Sequence, residues 1–367
     1  MDRSVRRLEP SLLCVAAMLV IVGCASGPSE ITPSAEPSSA EAVPNLEARL
    51  DELLGADLNG AALVARDGSI LFAQGLGMAD AGSNLANSPE TRFRLGSITK
   101  QFTAMAILIL ESQALLDRSD SICDHIDDCP EAWQVVTIEH LLGHTSGIAN
   151  YTDQRDFDSR TAATPAQIVA EVADIPLGTE PGESFSYTNT GYVLLGMAIE
   201  EVSGKPYAAY LRDEIFGPLG MEDSGYEDGD TPGLATGYSS DFDVAEPISM
   251  SVPYAAGGLY STVLDLHLWQ EALYTERLAP AADIDRYFTP LVQDTDVAGF
   301  GYAYGQYVGD DGGSKLIAHS GGINGFATFL ARYPDDHITV VLLSNREASP
   351  ALDTLATRAA RLVRESP

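Results

Sequence analysis

The hydrophobic pattern of the chain begins with a helix. Leucines recur at the spacing that places them on one helical face, at Leu46, Leu50, Leu53 and Leu54. Asn45 stands directly before them, and asparagine caps helices by accepting a hydrogen bond from a free backbone N–H group. We therefore expect the folded part of the chain to begin near residue 45.

Two strand-like runs follow this helix. Gly60 to Arg66 and Ile70 to Gly77 are rich in apolar residues, and Asp67-Gly68 separates them. An Asp-Gly pair between two such runs is a strong hairpin signal, because both positions adopt the positive φ angles that tight hairpin turns require. The sequence therefore predicts an antiparallel sheet at this point.

The C-terminal end mirrors this arrangement. Gly325 to Tyr333 and Ile338 to Leu343 predict two further strands, and Pro334-Asp335-Asp336 predicts the turn between them. A helix is expected to begin at Ser349-Pro350, since proline is favoured in the first helical turn. Its apolar face carries Leu352, Leu355 and Leu362.

The middle of the chain, roughly residues 111–252, consists mostly of short helical segments interrupted by glycine and proline. Strands at both ends around a helical middle predict an α+β fold with one antiparallel sheet flanked by helices. We expect one domain over about 45–365. Its sheet part comes from about 45–110 and 253–365, and a mainly helical domain of about 111–252 is inserted between them.

Residues 1–23 have the character of a signal peptide, with Arg3, Arg6 and Arg7 before an apolar run from Leu12 to Gly23 that is short for a membrane span. The end of the run, Ile21-Val22-Gly23-Cys24, resembles the bacterial lipoprotein cleavage box. Cys24 would then be the lipidated N-terminus of the mature protein. The alternative is an ordinary signal peptide with an incidental cysteine.

Residues 24–44 are rich in Ser, Pro, Glu and Ala and have almost no large apolar side chains. Such a segment cannot offset its ordering entropy, so we expect a flexible tether. A lipid anchor at Cys24 would make the membrane a partner and place the domain in the bacterial cell envelope, on the periplasmic side. Ala25 favours the outer membrane in a Gram-negative cell.

Two cysteines, Cys123 and Cys129, remain in the predicted domain once Cys14 leaves with the signal peptide and Cys24 is lipidated. In an oxidising compartment we expect them to form a disulfide. The alternative is a pair of free buried thiols. A metal site is less favoured, since two ligands do not complete one.

The charge of the chain excludes one class of partner. Lys and Arg number 21 against 53 Asp and Glu, which gives a net charge of −32. Nucleic-acid binding requires a basic surface, so we expect no nucleic-acid partner. The sequence does not determine the oligomeric state.

The first candidate chemistry lies at Gly96-Ser97-Ile98-Thr99-Lys100, where an apolar, helix-length segment begins. A lysine three residues after a serine lies on the same helical face and can reach the serine hydroxyl. For the lysine to act as a base, its environment must lower the pKa from about 10.4 to near 7. This shift requires about 4 kcal/mol of destabilisation of the charged form relative to the neutral one. Lysine occurs only at positions 100, 205 and 315, so a serine and a lysine at this spacing are less readily explained by chance.

The second candidate is the polar loop Ser186-Tyr187-Thr188-Asn189-Thr190, which precedes an apolar helix expected from about Gly191. A phenol at Tyr187 can relay protons, and the Asn189 amide can bind a substrate carbonyl. The alternative role for Asn189 or Thr190 is helix capping.

The third candidate is His319-Ser320-Gly321-Gly322, expected at the end of a short strand from Leu316 to Ala318. Paired glycines would let a substrate lie against the strand edge, and the Gly322 amide can face a reacting carbonyl. The alternative is a glycine-rich turn with a surface histidine.

These three motifs in this order resemble the serine β-lactamase and DD-peptidase superfamily, and most of all its class C branch. The segment Leu141 to Gly147 also looks like a family segment, and the resemblance covers about Asn45 to the C-terminus. It implies a serine hydrolase that forms an acyl-enzyme, without metal or organic cofactor. Its substrate would be a small molecule or a fragment of peptidoglycan.

The resemblance also implies roles for individual residues. Ser97 would be the acylated nucleophile, Lys100 and Tyr187 the proton-handling pair, and Asn189 a substrate contact. The backbone amides of Ser97 and Gly322 would form the oxyanion hole. His319 and Gly321 are expected to contact substrate, while His144 and Ser146 would support the region structurally.

Position 319 departs from the β-lactamase pattern, because β-lactamases of this branch normally carry lysine where this chain has histidine. With a reference pKa of about 6.5, the His319 side chain would be positively charged only below about pH 6.5. We therefore expect turnover of carboxylate-bearing substrates to fall as the pH rises through this titration. The departure weakens the case for antibiotic hydrolysis.

Three other interpretations compete with this one. A zinc hydrolase could use His140 and His144, four residues apart on an expected helix, but a third ligand is not apparent. The α/β-hydrolase fold requires a GxSxG nucleophile motif, which the sequence lacks. The third is a peptidoglycan sensor or penicillin-binding protein that kept the pocket without turnover.

Overall fold

The first helix and the first hairpin lie where the hydrophobic pattern predicts them. The computed structural model describes residues 45–56, 58–154, 158–347 and 351–366. Helix α1, Leu46–Gly55, is capped by Asn45, whose side chain accepts a hydrogen bond of 2.9 Å from the Ala48 amide. The turn residues Asp67 and Gly68 have φ angles of 51° and 73°, the conformation expected of an Asp-Gly hairpin.

Several predictions about the two ends of the chain fall outside these residues. They are the signal peptide over 1–23, the lipidated Cys24, the tether over 24–44 and the helix start at Ser349-Pro350. No helix of the described ranges is both long enough and apolar enough to cross a membrane.

The described part of the chain contains twelve strands. They are β1 Gly60–Arg66, β2 Ser69–Leu76, β3 Met78–Asp80, β4 Leu85–Ala86, β5 Phe93–Arg94, β6 Gly225–Tyr226, β7 Leu259–Ser261, β8 Gly301–Tyr302, β9 Tyr307–Asp311, β10 Ser314–Ile323, β11 Phe326–Tyr333 and β12 Ile338–Ser344.

The same residues contain eleven α-helices. They are α1 Leu46–Gly55, α2 Thr99–Ser112, α3 Ile138–Leu142, α4 Pro165–Ala170, α5 Asn189–Ser203, α6 Tyr207–Leu211, α7 Gly217–Leu219, α8 Tyr254–Gly257, α9 Val263–Ala272, α10 Ala281–Tyr287 and α11 Leu352–Glu365. A π-helical turn over Arg212–Phe216 connects α6 and α7.

The main sheet has seven antiparallel strands in the order β2-β1-β12-β11-β10-β9-β8. Strand β1 pairs with β12 from Gly60 opposite Ser344 to Arg66 opposite Ile338, so strands from the two ends of the described chain lie side by side within the sheet. This arrangement confirms the predicted α+β fold with one antiparallel sheet built from both chain ends. Two small sheets, β3-β4 and β5-β7-β6, lie outside it.

The sheet is buried on both faces, which explains why its central strands are apolar throughout. On β1, Leu63 joins the larger core with α2, α5 and α9, whereas Val64 joins a second core with α1 and α11. Successive side chains of a strand point to opposite faces, so both sets of residues must be apolar. The candidate chemistry lies on the face of α2 and α5.

Between β5 and β8 the chain runs mainly through short helices and loops, within one compact unit that covers 44–367. Helix α2 is buried from Thr99 to Leu110, as the apolar sequence predicts. The structure also joins Cys123 and Cys129 in a disulfide, with Cα atoms 5.3 Å apart.

Candidate active site

The predicted nucleophile, Ser97, lies at the N-terminal end of the buried helix. A 3₁₀ turn over Gly96–Ile98 leads directly into α2, so Ser97 precedes the first α-helical residue by two positions. Gly96 has a φ of +54°, and a side chain there would meet the Gly322 amide nitrogen at 2.9 Å. Glycine is therefore required at 96 by both the backbone conformation and the close approach of β10.

Lys100 points back along α2 onto Ser97, as its spacing predicts. Its Nζ atom lies 3.0 Å from Ser97 Oγ, 2.8 Å from Asn189 Oδ1 and 2.8 Å from the Ala256 carbonyl oxygen. The last two atoms can only accept hydrogen bonds. A neutral amine that donates to both would direct its lone pair at the Ser97 hydroxyl.

The surroundings of Lys100 favour that neutral amine. The side chain is fully buried, and burial lowers the pKa of the lysine well below its ordinary value. The rings of Tyr187 and Tyr192 lie 4.9 and 5.5 Å from Nζ. The described ion pairs include no carboxylate bound to Lys100. The structure thus supplies the desolvation that a lysine base requires.

Tyr187 approaches Ser97 from the other side. The two side chains are hydrogen-bonded, and burial raises the pKa of the Tyr187 phenol although that hydrogen bond acts in the opposite direction. The tyrosine ring packs on the ring of His144, with 4.3 Å between the centroids. Tyr187 therefore carries its proton at neutral pH and can donate it.

Asn189 lies on the first turn of helix α5 and not, as predicted, in the loop before it. Helix α5 begins at Asn189, two residues before the expected start near Gly191. The Asn150 side chain accepts a hydrogen bond of 3.0 Å from the Asn189 amide, which satisfies a free backbone donor at this end of the helix. The Asn189 side chain lines the cavity beside Ser97 and also binds Lys100, so it orients the base.

Strand β10 runs through the glycine motif instead of ending before it. The expected strand of three residues is ten residues long, because Gly321 and Gly322 stay paired with Thr328 and Ala327 of β11. A side chain at 321 would meet the Leu95 carbonyl oxygen at 2.0 Å, whereas one at 322 would enter open space. Gly321 thus permits packing against the segment before Ser97, and Gly322 is the glycine that faces the cavity.

The cavity beside Ser97 has a volume of about 220 Å³ and is lined by Gly96, Ser97, Tyr151, Asn189, Ala256 and Gly322 among others. A second cavity of about 550 Å³ lies beside Tyr187, and its described lining includes Glu183, Asp294 and Asp296. The three motifs from separate parts of the sequence therefore meet at one cleft, with the hydroxyl of Ser97 between the lysine and the tyrosine.

Comparison with known proteins identifies the family of the chain. A family model described as Beta-lactamase matches residues 46–365. The chain belongs to this family. The match covers the whole predicted domain, and the fold is that of the β-lactamase and transpeptidase-like superfamily of serine hydrolases.

Relatives of this β-lactamase-family chain include penicillin-binding proteins. It is 31% identical over 324 residues to penicillin-binding protein 4* of Bacillus subtilis (strain 168), covering 82% of this chain and 71% of that protein. The structure of the penicillin binding protein from Bacillus halodurans matches with a TM-score of 0.75 at 29% identity, covering 87% of this chain and 99% of the other.

The fold is also similar to that of a solved amidase structure. The structure of D-amino acid amidase from Ochrobactrum anthropi SV3 complexed with L-phenylalanine matches with a TM-score of 0.77. The identity is 24%, and the match covers 88% of this chain and 99% of that chain. At this identity the similarity is one of fold.

His319 differs from its expected state in this β-lactamase-family chain. It is 3% exposed, and burial lowers its pKa to about 3. Its Nε2 atom lies 3.1 Å from the Tyr302 hydroxyl and its Nδ1 atom 2.5 Å from the Ser320 carbonyl oxygen. Both ring nitrogens are therefore occupied, and the expected charge change near pH 6.5 does not fit this environment.

The two histidines of the zinc alternative also have other partners. Helix α3 ends at Leu142, so His144 lies beyond it, with a φ of 55°. His140 Nδ1 accepts a hydrogen bond from the Thr137 amide, and His144 Nδ1 accepts one from the Thr188 amide. Within the described ranges, no three His, Cys, Asp or Glu residues are grouped to hold a metal ion.

Sequence reasoning missed three contributors to the site. The Ala256 carbonyl binds Lys100, the Asn150 side chain caps α5, and the Tyr302 hydroxyl lies between His144 and His319. A backbone carbonyl leaves no signal in residue identity. Tyr302 is one of 15 tyrosines, and its partners come from distant parts of the sequence.

Proposed function

We propose that this protein is a serine hydrolase that forms an acyl-enzyme on Ser97 and acts on D-amino-acid peptides or on related amides and esters. The observation that carries the proposal is the contact between Ser97 and the buried Lys100. Two acceptors hold the lysine amine so that its lone pair faces the serine hydroxyl. A serine beside a desolvated lysine is an activated nucleophile.

In the acylation step, Ser97 Oγ attacks the carbonyl carbon of the substrate while its proton passes to Lys100 Nζ. The carbonyl oxygen becomes an oxyanion, which the backbone N–H groups of Ser97 and Gly322 would stabilise. When the tetrahedral intermediate collapses, the bond to the leaving nitrogen or oxygen breaks. The Tyr187 hydroxyl donates a proton to the leaving group and regains one from Lys100.

In the deacylation step, a water molecule attacks the acyl carbon and gives a proton to Lys100, which is neutral again after it has reprotonated Tyr187. The bond to Ser97 Oγ breaks, the serine is reprotonated and a carboxylic acid leaves. The opposite directions of the two pKa changes support this division of roles, because burial makes Lys100 easier to deprotonate and Tyr187 harder.

The charges of the cleft favour neutral or amine-bearing substrates. The described lining of the two cavities includes Glu183, Asp294 and Asp296 but neither lysine nor arginine. His319 stands at the position where β-lactamases of the class C branch normally have lysine, and it is neutral above about pH 3. A carboxylate would therefore meet no cation from these residues, which argues for amides and esters over β-lactams.

We also propose that the domain is anchored to the bacterial cell envelope through a lipid on Cys24. The support is the sequence alone, namely the lipoprotein-like box that ends at Cys24 and the polar segment that follows. The test is metabolic labelling with a radioactive fatty acid. Label in the parent but not in a Cys24→Ser variant is expected, and equal labelling of both would overturn the anchor.

Acylation without turnover is the second candidate function. Its support is that relatives of the chain are named as penicillin-binding proteins. A class C β-lactamase or a carboxylesterase would use the same acyl-enzyme, so these alternatives differ from the main proposal in the substrate and not in the nucleophile.

The full-length protein in detergent should be assayed with nitrocefin, a D-alanyl-D-alanine peptide, a D-amino-acid amide and a neutral p-nitrophenyl ester. Turnover of the ester and of a D-amino-acid substrate is expected, with loss of both in Ser97→Ala. Rapid turnover of nitrocefin alone would identify a β-lactamase. Stable acylation by a labelled penicillin without turnover of any substrate would identify the binding function, and activity in Ser97→Ala would overturn both.

A further inference from the structure

Three hydrogen bonds connect residues 186–188, which we call the Tyr187 loop, to strand β10 beneath the cleft, and a fourth lies within the strand. The Thr188 amide lies 3.2 Å from His144 Nδ1, and His144 Nε2 lies 3.2 Å from the Tyr302 hydroxyl. The Tyr302 hydroxyl lies 3.1 Å from His319 Nε2, and His319 Nδ1 lies 2.5 Å from the Ser320 carbonyl oxygen. We call this set the His144–Tyr302–His319 chain.

The two ends of the His144–Tyr302–His319 chain fix the direction of every bond in it. The Thr188 amide can only donate, so His144 Nδ1 must accept and His144 carries its proton on Nε2. The Ser320 carbonyl can only accept, so His319 carries its proton on Nδ1. The Tyr302 oxygen then accepts from His144, and its proton is donated to His319 Nε2.

The surroundings agree with this arrangement. His144 and Tyr302 are fully buried and His319 nearly so. Burial lowers the pKa of both histidines, which favours their neutral forms. The Tyr192 hydroxyl is also hydrogen-bonded to Tyr302, but it donates its own proton to the Leu142 carbonyl at 3.0 Å, so it offers Tyr302 a lone pair and no competing proton. If every bond of the His144–Tyr302–His319 chain ran in the opposite direction, His144 would carry its proton on Nδ1. That N–H group would then face the Thr188 amide, and two donors would meet.

The His144–Tyr302–His319 chain joins two parts of the proposed machinery. On one side, the His144 ring packs against Tyr187, the residue before Thr188. On the other side, His319 lies three residues before Gly322 on β10. The chain ends on backbone groups that do not exchange protons in the reaction, so it is suited to positioning and not to proton transfer.

We propose that Tyr302 is a positioning residue, whose hydroxyl holds the Tyr187 loop and the oxyanion strand β10 at a fixed separation through His144 and His319. This inference rests on the proposed acyl transfer at Ser97. Tyr302 stabilises the arrangement of groups that handle the proton and the oxyanion, and it does not contact the substrate itself. Small misplacements of such groups are costly, since about 1 Å can reduce a rate about 100-fold.

The test compares Tyr302→Phe with Tyr333→Phe in the full-length protein. Tyr333 is a matched control, because its hydroxyl is also hydrogen-bonded within the protein, to Asp311 Oδ2 at 3.1 Å, but it belongs to the core beside α11. Hydrolysis of a neutral p-nitrophenyl ester is measured, together with thermal unfolding. We expect kcat of Tyr302→Phe to fall about 10- to 100-fold with little change in KM, and kcat of Tyr333→Phe to stay at the parent value.

Nitrogen NMR of histidine-labelled protein gives a readout that does not depend on activity. The six histidine signals can be assigned by replacing the six histidines one at a time. The parent should show His144 protonated on Nε2 and His319 on Nδ1, and Tyr302→Phe should change at least one of the two signals. If Tyr302→Phe does not fold, the tautomers of the parent decide the proposal alone.

The proposal is overturned if the parent shows either histidine in the opposite tautomer or doubly protonated at neutral pH. It is also overturned if Tyr302→Phe hydrolyses the ester with the parent's kcat. Failure of the proposed function looks different, because the parent itself would then form no acyl-enzyme on Ser97 whatever the state of the histidines.

Discussion

The amine nitrogen of Lys100 lies 3.0 Å from the hydroxyl oxygen of Ser97, at the end of a helix that is buried on all sides. The position is costly for a charged lysine and favourable for a neutral one. The same burial that removes the lysine from water therefore gives the serine a base at the pH of the cell.

Lys100 should control the acid side of the pH profile. Because its pKa is lowered well below 10.5, the fraction of neutral amine, and with it kcat/KM for a neutral ester, should rise with pH and level off well below pH 10.5. Lys100→Arg keeps the charge at every accessible pH, so it should lose activity by about 1,000-fold and lose this pH dependence. An arginine variant with the parent's profile would assign the base elsewhere.

Tyr187 should matter most when the leaving group needs a proton. In Tyr187→Phe we expect hydrolysis of a D-amino-acid amide to fall by about 100- to 10,000-fold, because the amine must be protonated as it leaves. A p-nitrophenolate leaves without a proton, so the ester should be affected at least about 10-fold less. Equal losses for both substrates would argue that Tyr187 serves another step.

His319 should not act as a pH switch for substrate charge. Its pKa of about 3 leaves it neutral over the physiological range. The ratio of kcat/KM for a carboxylate-bearing ester to that for its neutral analogue should therefore be low and constant from about pH 5 to about pH 8. A ratio that falls as the pH rises through about 6.5 would restore the expectation from sequence that His319 binds the carboxylate.

Gly321 and Gly322 should differ in their tolerance of a side chain. In Gly321→Ala the new Cβ would lie 2.0 Å from the Leu95 oxygen and 2.2 Å from Thr328 Oγ1, so we expect a loss of about 1–3 kcal/mol in the free energy of unfolding. Gly322→Ala meets no atom within 4 Å and should change it by less than about 0.5 kcal/mol. Urea unfolding of both variants tests this, and equal stabilities would contradict the close approach of β10 to Leu95.

The sequence was sufficient where structure depends on local patterns. The leucine spacing after Asn45, the Asp67-Gly68 turn and the all-round apolar character of α2 each determine an element through contacts within a few residues. The spacing of Ser97 and Lys100 likewise follows from the period of a helix. These features carried the prediction of the fold and of its nucleophile.

The sequence was insufficient where neighbours come from distant parts of the chain. His319 follows a short apolar run, but pairing of β10 with β11 extends the strand past it and buries its ring. The bond between Tyr302 and His144 joins residues 158 positions apart. Such contacts depend on the packing of the sheet on the helices, which no local pattern records, and they change the charge state of the site.

The most direct test of the account is to identify the acylated residue. The parent protein and Ser97→Ala are mixed with a neutral p-nitrophenyl ester, quenched in acid within the first turnover and analysed by intact-protein and peptide mass spectrometry. We predict that the parent gains the mass of one acyl group on the peptide that contains Ser97 and that Ser97→Ala gains none. An acyl group on another residue, or hydrolysis by Ser97→Ala at the rate of the parent, would contradict the account.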